Sequence, residues 1–287
     1  MKTITKIVAG VLSSALLLGM TSCSTTETTA TTAAAETSAA DSSADDTTEA
    51  AAGELTTVTA GKLTMATNAF FPPYEYYEGE DIVGIDAEIA KAVADKLGLE
   101  LVIEDVEFDS IIAGVQGGKY DIGCAGMTIT EDRLQSVNFS TPYATGIQSI
   151  IVAEGSEIKD IDTLLNGNYK VGVQSGTTGD IYMSADPEDG GVGEDRVERY
   201  AKGNDAVLAL TAGKIDAVVI DNEPAKAFVE ANPGLKILET PFAVEEYAMA
   251  INKNNEALKV AVDQALKELT EDGTIPAIIN KYIPVEG

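Results

Sequence analysis

Arg133 closes the stretch CAGMTITEDR and is one of only three arginines in a 287-residue chain with 47 acidic residues against 19 basic ones. A guanidinium presents a rigid planar donor fork that fits a carboxylate, a match that lysine does not reproduce. Glu131 and Asp132 stand beside it. The residues alone therefore allow two readings, an anion clamp or a charge-balanced, wet helix end. Asp221 ends the apolar run KIDAVVID. A carboxylate after a buried strand is costly unless a cation or hydrogen-bond donors meet it. Otherwise it N-caps the helix begun by NEPAKAF, a cap that Asn222 could also supply. SGTTG, residues 175–179, precedes a helix, where free backbone N–H groups and the positive helix end favour an anion. Thr177 and Thr178 are its candidate side-chain donors, and capping is their alternative role.

What is missing restricts the chemistry further. The chain has no histidine and no tryptophan, so the usual general base at neutral pH and the commonest zinc ligand are both absent. Neither a metal nor a cofactor is expected. A formal charge of −28 argues against nucleic acid or anionic lipid as partners, because a field of that sign repels phosphate. The expected ligand is small.

Residues 1–22 read as a signal peptide: Lys2 and Lys6 precede an apolar run from Ile7 to Leu18 that is too short to span a bilayer. The run ends in MTSC, which resembles a bacterial lipobox and makes Cys23 the expected lipidation site. Residues 23–60, rich in Thr, Ala, Ser and acids, lack the apolar surface to offset ordering entropy and read as a solvated tether. With Cys23 acylated, Cys124 has no intrachain partner and alternates with apolar residues in DIGCAGM, as a core residue would.

The elements that must position these residues follow from periodicity. KLTMATN, LELVIEDV and YDIGCAGM read as strands, and GIDAEIAKAVADKLG as a helix stopped by Gly98. After residue 168 the alternation resumes with the strands YKVGVQSG and KIDAVVID. DSIIAGVQGGKYDIGCAG and DAVLALTAGKIDAVVID echo each other, each as an Asp-capped helix, a Gly-Lys turn, an aspartate and a strand. Two similar α/β lobes with mainly parallel sheets are expected. Ile147–Ala153 and ETPFAVEEYAMAINKN form two extended crossings, candidate hinges for a chain that leaves one lobe and returns.

Five stretches together resemble the extracytoplasmic solute-binding proteins, family 3, of polar amino acid ABC transporters: ATNAFFPPYEYYEGEDIVGIDAEIAKAVADKLG, GGKYDIGCAGMTITEDRLQSVNFSTPY, VGVQSGTTG, AGKIDAVVIDNEPA and LTEDGTIPAIINKYI. The resemblance implies a two-lobed, type II periplasmic-binding-protein-like α/β fold with a discontinuous first lobe and a two-strand hinge. It implies lobe 1 over 61–146 and 243–287, and lobe 2 over 147–242. It makes Arg133 the clamp for a ligand α-carboxylate, assisted by Thr128, Thr177, Thr178 and the backbone of Ala125 and Gly126. Asp221 becomes the α-ammonium partner, and Phe71 and Phe108 the aromatic walls. Asn68, where many relatives have aspartate, and Gln174, where some glutamine-binding relatives have lysine, suggest a neutral polar ligand such as glutamine or cystine. The expected protein is a lipid-anchored, extracytoplasmic, non-catalytic monomer that passes a free L-amino acid to an ABC permease. A prephenate or arogenate dehydratase-like enzyme and a sensory or adhesive lipoprotein are the alternatives.

Overall fold

The computed structural model describes residues 55–239 and 243–284. The signal peptide, Cys23 and most of the tether lie outside the described residues. Two sheets organise the chain. The first has the strand order Glu100–Asp105, Lys62–Thr67, Ile122–Gly123, Ala250–Asn252 and Val137–Phe139. Its first three strands run parallel, while Ala250–Asn252 lies antiparallel to both neighbours. The second orders Val197–Tyr200, Val171–Gln174, Ala217–Asp221, Ala144–Ala153 and Leu235–Ile237, with Ala243–Tyr247 also pairing on Ala144–Ala153. Each sheet forms the spine of one lobe.

The helix Ile85–Leu97 buries Ile85, Ile89 and Val93 at helical spacing and ends on Gly98 in the left-handed conformation, φ 69°. It packs against the returning helix Glu256–Glu271, so Leu258, Val262 and Leu266 complete the core of the first lobe. A chain that has built the second lobe must come back to supply this layer. It crosses over and returns on Ala144–Ala153 and Ala243–Tyr247, which pair antiparallel from Ala144↔Tyr247 to Gln148↔Ala243.

The sequence echo has a structural counterpart. Asp121 follows the helix Phe108–Gln116, and its carboxylate accepts the Thr64 N–H at 2.8 Å from the neighbouring strand. Asp216 follows the helix Gly203–Thr211 and accepts the Lys170 N–H, again at 2.8 Å. Each aspartate ties a helix-to-strand turn to the start of the neighbouring strand of its sheet. The aspartates expected to cap these helices do not do so. The N-cap positions are Glu107 and Lys202, neither with a side-chain cap bond, and Asp109 and Asp205 lie inside the first turns. A small sheet of Phe70–Phe71, Glu75–Glu78 and Asp81–Val83 was not anticipated, because its strands are too short for a clear period. Cys124 is a free, fully buried thiol of the first lobe's core.

Candidate functional site

All of the candidate ligand-binding residues line one cavity between the two sheets. Asn68, Phe71, Phe108, Ala125, Gly126, Thr128 and Arg133 come from the first lobe; Gln174, Thr177, Thr178 and Asp221 come from the second. Glu75, Gln148 and Ile220, which sequence reasoning did not single out, complete the wall.

Arg133 is the third residue of the short helix Glu131–Ser136, whose N-cap Thr130 accepts the Arg133 backbone N–H. Although only 8% exposed, its guanidinium donates to the Thr128 carbonyl at 2.7 Å and across the cleft to the Gly176 carbonyl at 2.9 Å. It also lies over the Phe108 ring at 5.5 Å. Burial lowers its pKa to about 10, opposed by the nearby Glu245 charge, so it stays a cation at neutral pH. Glu131 and Asp132 do not pair with it: it is no surface charge-balancer but a buried fork with donors left for the cavity.

Asp221 ends the strand Ala217–Asp221 and is also 8% exposed. It occupies an N-cap position, yet its side chain makes no capping bond. Instead it accepts the Tyr247 hydroxyl and, at 2.8 Å, the Gln148 amide. Burial, then repulsion from Glu245, raises its carboxyl to about 7. A buried carboxylate held by neutral donors is poised to take a cation.

The threonines divide their work. Thr177 caps the helix Thr178–Ser184, accepting the Asp180 N–H at 3.3 Å and donating to the Gln174 carbonyl at 2.8 Å. Thr128 and Thr178 both donate to Glu245 at 3.0 Å. Glu245 lies on the returning strand, is 3% exposed, and was missed. The available signal was parity: in AVEEYAM it shares a strand face with Tyr247, but the adjacent Glu246 makes the pair look like a solvated edge. Gln148 gave a clearer signal, as the larger of two adjacent polar residues, with Ser149, inside the mostly apolar GIQSIIVA.

Beneath the cavity, Asp86 accepts the Gly126 N–H at 2.7 Å and the Tyr143 hydroxyl at 2.8 Å. Glu75 is hydrogen-bonded to Asp86; burial and the Asp86 charge push it well above the usual carboxylate range, while Asp86 itself rises to about 6 by burial. Glu75 Oε2 and Asp86 Oδ1 both lack a conventional donor. One proton held between the two carboxyls accounts for both atoms. Gly126 sits at φ +52°, and a Cβ there would stand 2.8 Å from the Phe71 ring, so glycine is required for this wall to close. Its N–H is committed to Asp86 rather than left for a ligand.

Asn68 and Gln174 bridge the lobes. Gln174 Nε2 donates to Asn68 Oδ1 at 2.8 Å and to the Ala201 carbonyl at 3.1 Å, while Asn68 Nδ2 donates to the Val106 carbonyl at 2.8 Å. Phe71 stacks on Tyr74, with centroids 5.7 Å apart. Among the described residues, no cluster of side chains could hold a metal ion, and no helix is long and apolar enough to cross a membrane.

A cation and an anion facing one cavity from opposite lobes, joined by a two-strand crossover, define a two-lobed binding protein for small zwitterionic solutes. Residues 63–285 match the bacterial extracellular solute-binding proteins, family 3, and the chain belongs to that family. It is 33% identical over 229 residues to the arginine-binding extracellular protein ArtP of Bacillus subtilis (strain 168), covering 78% of this chain and 87% of ArtP. It is 31% identical over 228 residues to the L-cystine-binding protein TcyJ of Escherichia coli (strain K12), covering 77% of this chain and 82% of TcyJ. The solved structure of an ancestral arginine-binding protein bound to arginine superposes with a TM-score of 0.72 at 39% identity, covering 77% of this chain and 98% of that one. The chain is thus an extracytoplasmic, amino-acid-binding component of an ABC transporter, and not an enzyme. The dehydratase alternative is thereby set aside.

Proposed function

We propose that the cleft captures one free L-amino acid, with Arg133 clamping its α-carboxylate and Asp221 its α-ammonium, and delivers it to an ABC permease. The observation that carries this reading is that these two buried, opposite charges line the same cavity from different lobes. A ligand that touches both lobes stabilises the closed arrangement by its differential affinity for that state. Phe71 and Phe108 supply rigid apolar walls that exclude water and strengthen both polar contacts. A micromolar dissociation constant corresponds to about −8 kcal/mol, a scale that two charge-assisted contacts and two rings can supply after the costs of closure. In the same reading the N-terminal segment exports the protein, Cys23 carries a lipid, the tether separates the anchor from the lobes, and the protein works as a monomer.

A thermal-shift screen of the twenty common amino acids, cystine and ornithine against the folded body tests the site. At least one compound should raise Tm, and the shift should vanish in both Arg133→Ala and Asp221→Ala. Unchanged binding in both variants would reject the assigned site.

A further inference from the structure

The buried charges around the cavity do not balance for a zwitterion. Two carboxylates, Asp221 and Glu245, share one Gln148 amide, which donates to them at 2.8 and 3.1 Å. Their other partners are the neutral hydroxyls of Tyr247, Thr128 and Thr178, and the Tyr182 phenol also bonds Glu245. Below them, the proton-sharing Glu75–Asp86 pair adds a further negative charge. Among the described residues, the one cation lining the cavity is Arg133. A zwitterion brings equal and opposite charges and leaves this surplus as it was.

Donors are short as well. A threonine hydroxyl has one proton, and Thr128 and Thr178 have both committed theirs to Glu245. Towards a ligand these hydroxyls offer lone pairs. Gln148 Oε1, on the cavity wall, is buried with no hydrogen-bond partner among the described residues. Buried acceptors without donors are costly, and the cost falls when a bound group brings N–H donors.

We infer that the cavity selects an amino acid of net positive charge with a donor-rich side chain, and that Glu245 is the residue that sets this preference. The inference rests on the proposed amino-acid site and sharpens it. A guanidinium or ammonium side chain offsets the surplus charge and brings N–H groups to the unfilled acceptors, whereas a neutral amide brings fewer donors and no charge. This replaces the neutral ligand expected from Asn68 and Gln174. Those two amides are bonded to each other, so their neutrality does not report the ligand's charge.

Arginine and citrulline test the inference, because they share a shape and differ in charge. Calorimetric titration at pH 8 should show wild-type protein binding L-arginine at least about tenfold more tightly than L-citrulline. Glu245→Gln should reduce that ratio by about tenfold, mainly by weakening arginine, and Glu245→Asp should largely keep it. A purely packing role for Glu245 would weaken both ligands alike and leave the ratio fixed, which would overturn the proposal. Equal or tighter binding of citrulline by the wild type would overturn it too. Should Glu245→Gln not fold, the wild-type ratio and Glu245→Asp still decide. A neutral amino acid bound preferentially, and lost in Arg133→Ala and Asp221→Ala, would sink this inference while sparing the site; no binding of any amino acid would sink both.

Discussion

Asp221 shows how a residue's surroundings set its task. Burial and the Glu245 charge raise its carboxyl to about 7, while the Tyr247 hydroxyl and the Gln148 amide pull it back down. In the empty cleft, acid therefore adds a proton to the group proposed to hold the ligand's ammonium. A bound ammonium favours the ionised form, so affinity is full above the empty-state value and falls as pH drops through it. The dissociation constant for L-arginine should be lowest near pH 8 and rise by about tenfold per unit below about pH 6. Titrations between pH 5 and 9 check this, and a flat profile would remove Asp221 from the ammonium role. Arg133 does not contribute to this slope, because burial lowers its pKa only to about 10.

The strands Ala144–Ala153 and Ala243–Tyr247 do more than connect the lobes. Register places Glu245 opposite Gly146 and Asp221 opposite Gln148, so the crossing itself carries polar groups of the site. Gly146 has to be small: a Cβ there would collide with the Tyr247 hydroxyl and come within 2.7 Å of Asp221 Oδ1. Gly146→Ala should force Tyr247 away from Asp221 and weaken ligand binding by at least about tenfold, an effect on the scale of one lost hydrogen bond to a charged group. The expected folding cost is about 1–3 kcal/mol, as for overpacking of a tight interior. Calorimetry for binding and urea unfolding for stability separate the two, and unimpaired binding would show that this contact does not hold Asp221 in place.

At the scale of the whole molecule, the contacts at the rim of the cleft are individually weak. Besides the Arg133 and Asn68 bonds across the cleft, Ser175 donates to Asp109 at 3.0 Å and Lys202 sits 3.4 Å from the Phe70 ring centroid. Rim contacts of this kind are each worth about 1 kcal/mol or less, so a ligand of ordinary affinity can govern the balance between open and closed. The net charge of −28 repels anionic surfaces, so under the proposed reading any membrane attachment would rest on the lipid on Cys23. Cys23→Ala should move the protein from the membrane pellet to the soluble fraction after cell lysis. Retention in the pellet would reject the tether reading.

The amino-acid order by itself determined the α/β alternation, the repeated turn aspartates and the site residues that lie in distinctive local patterns. Arg133 follows a strand, Asp221 ends one, and Thr177 and Thr178 open a helix, so period and position mark each as a candidate, while the family resemblance, not the pattern, chose binding over capping or charge balance. Only the tertiary structure decided which carboxylates are buried and which donors they consume. Glu245 and Glu246 are chemically identical neighbours, and strand pairing alone turns one into the interior, behind the cavity wall, and the other to solvent. Asn68 and Gln174 lie far apart along the chain, and only lobe closure bonds them together. Charge balance in a cavity depends on distances between segments remote in sequence, and local periodicity carries no record of those distances.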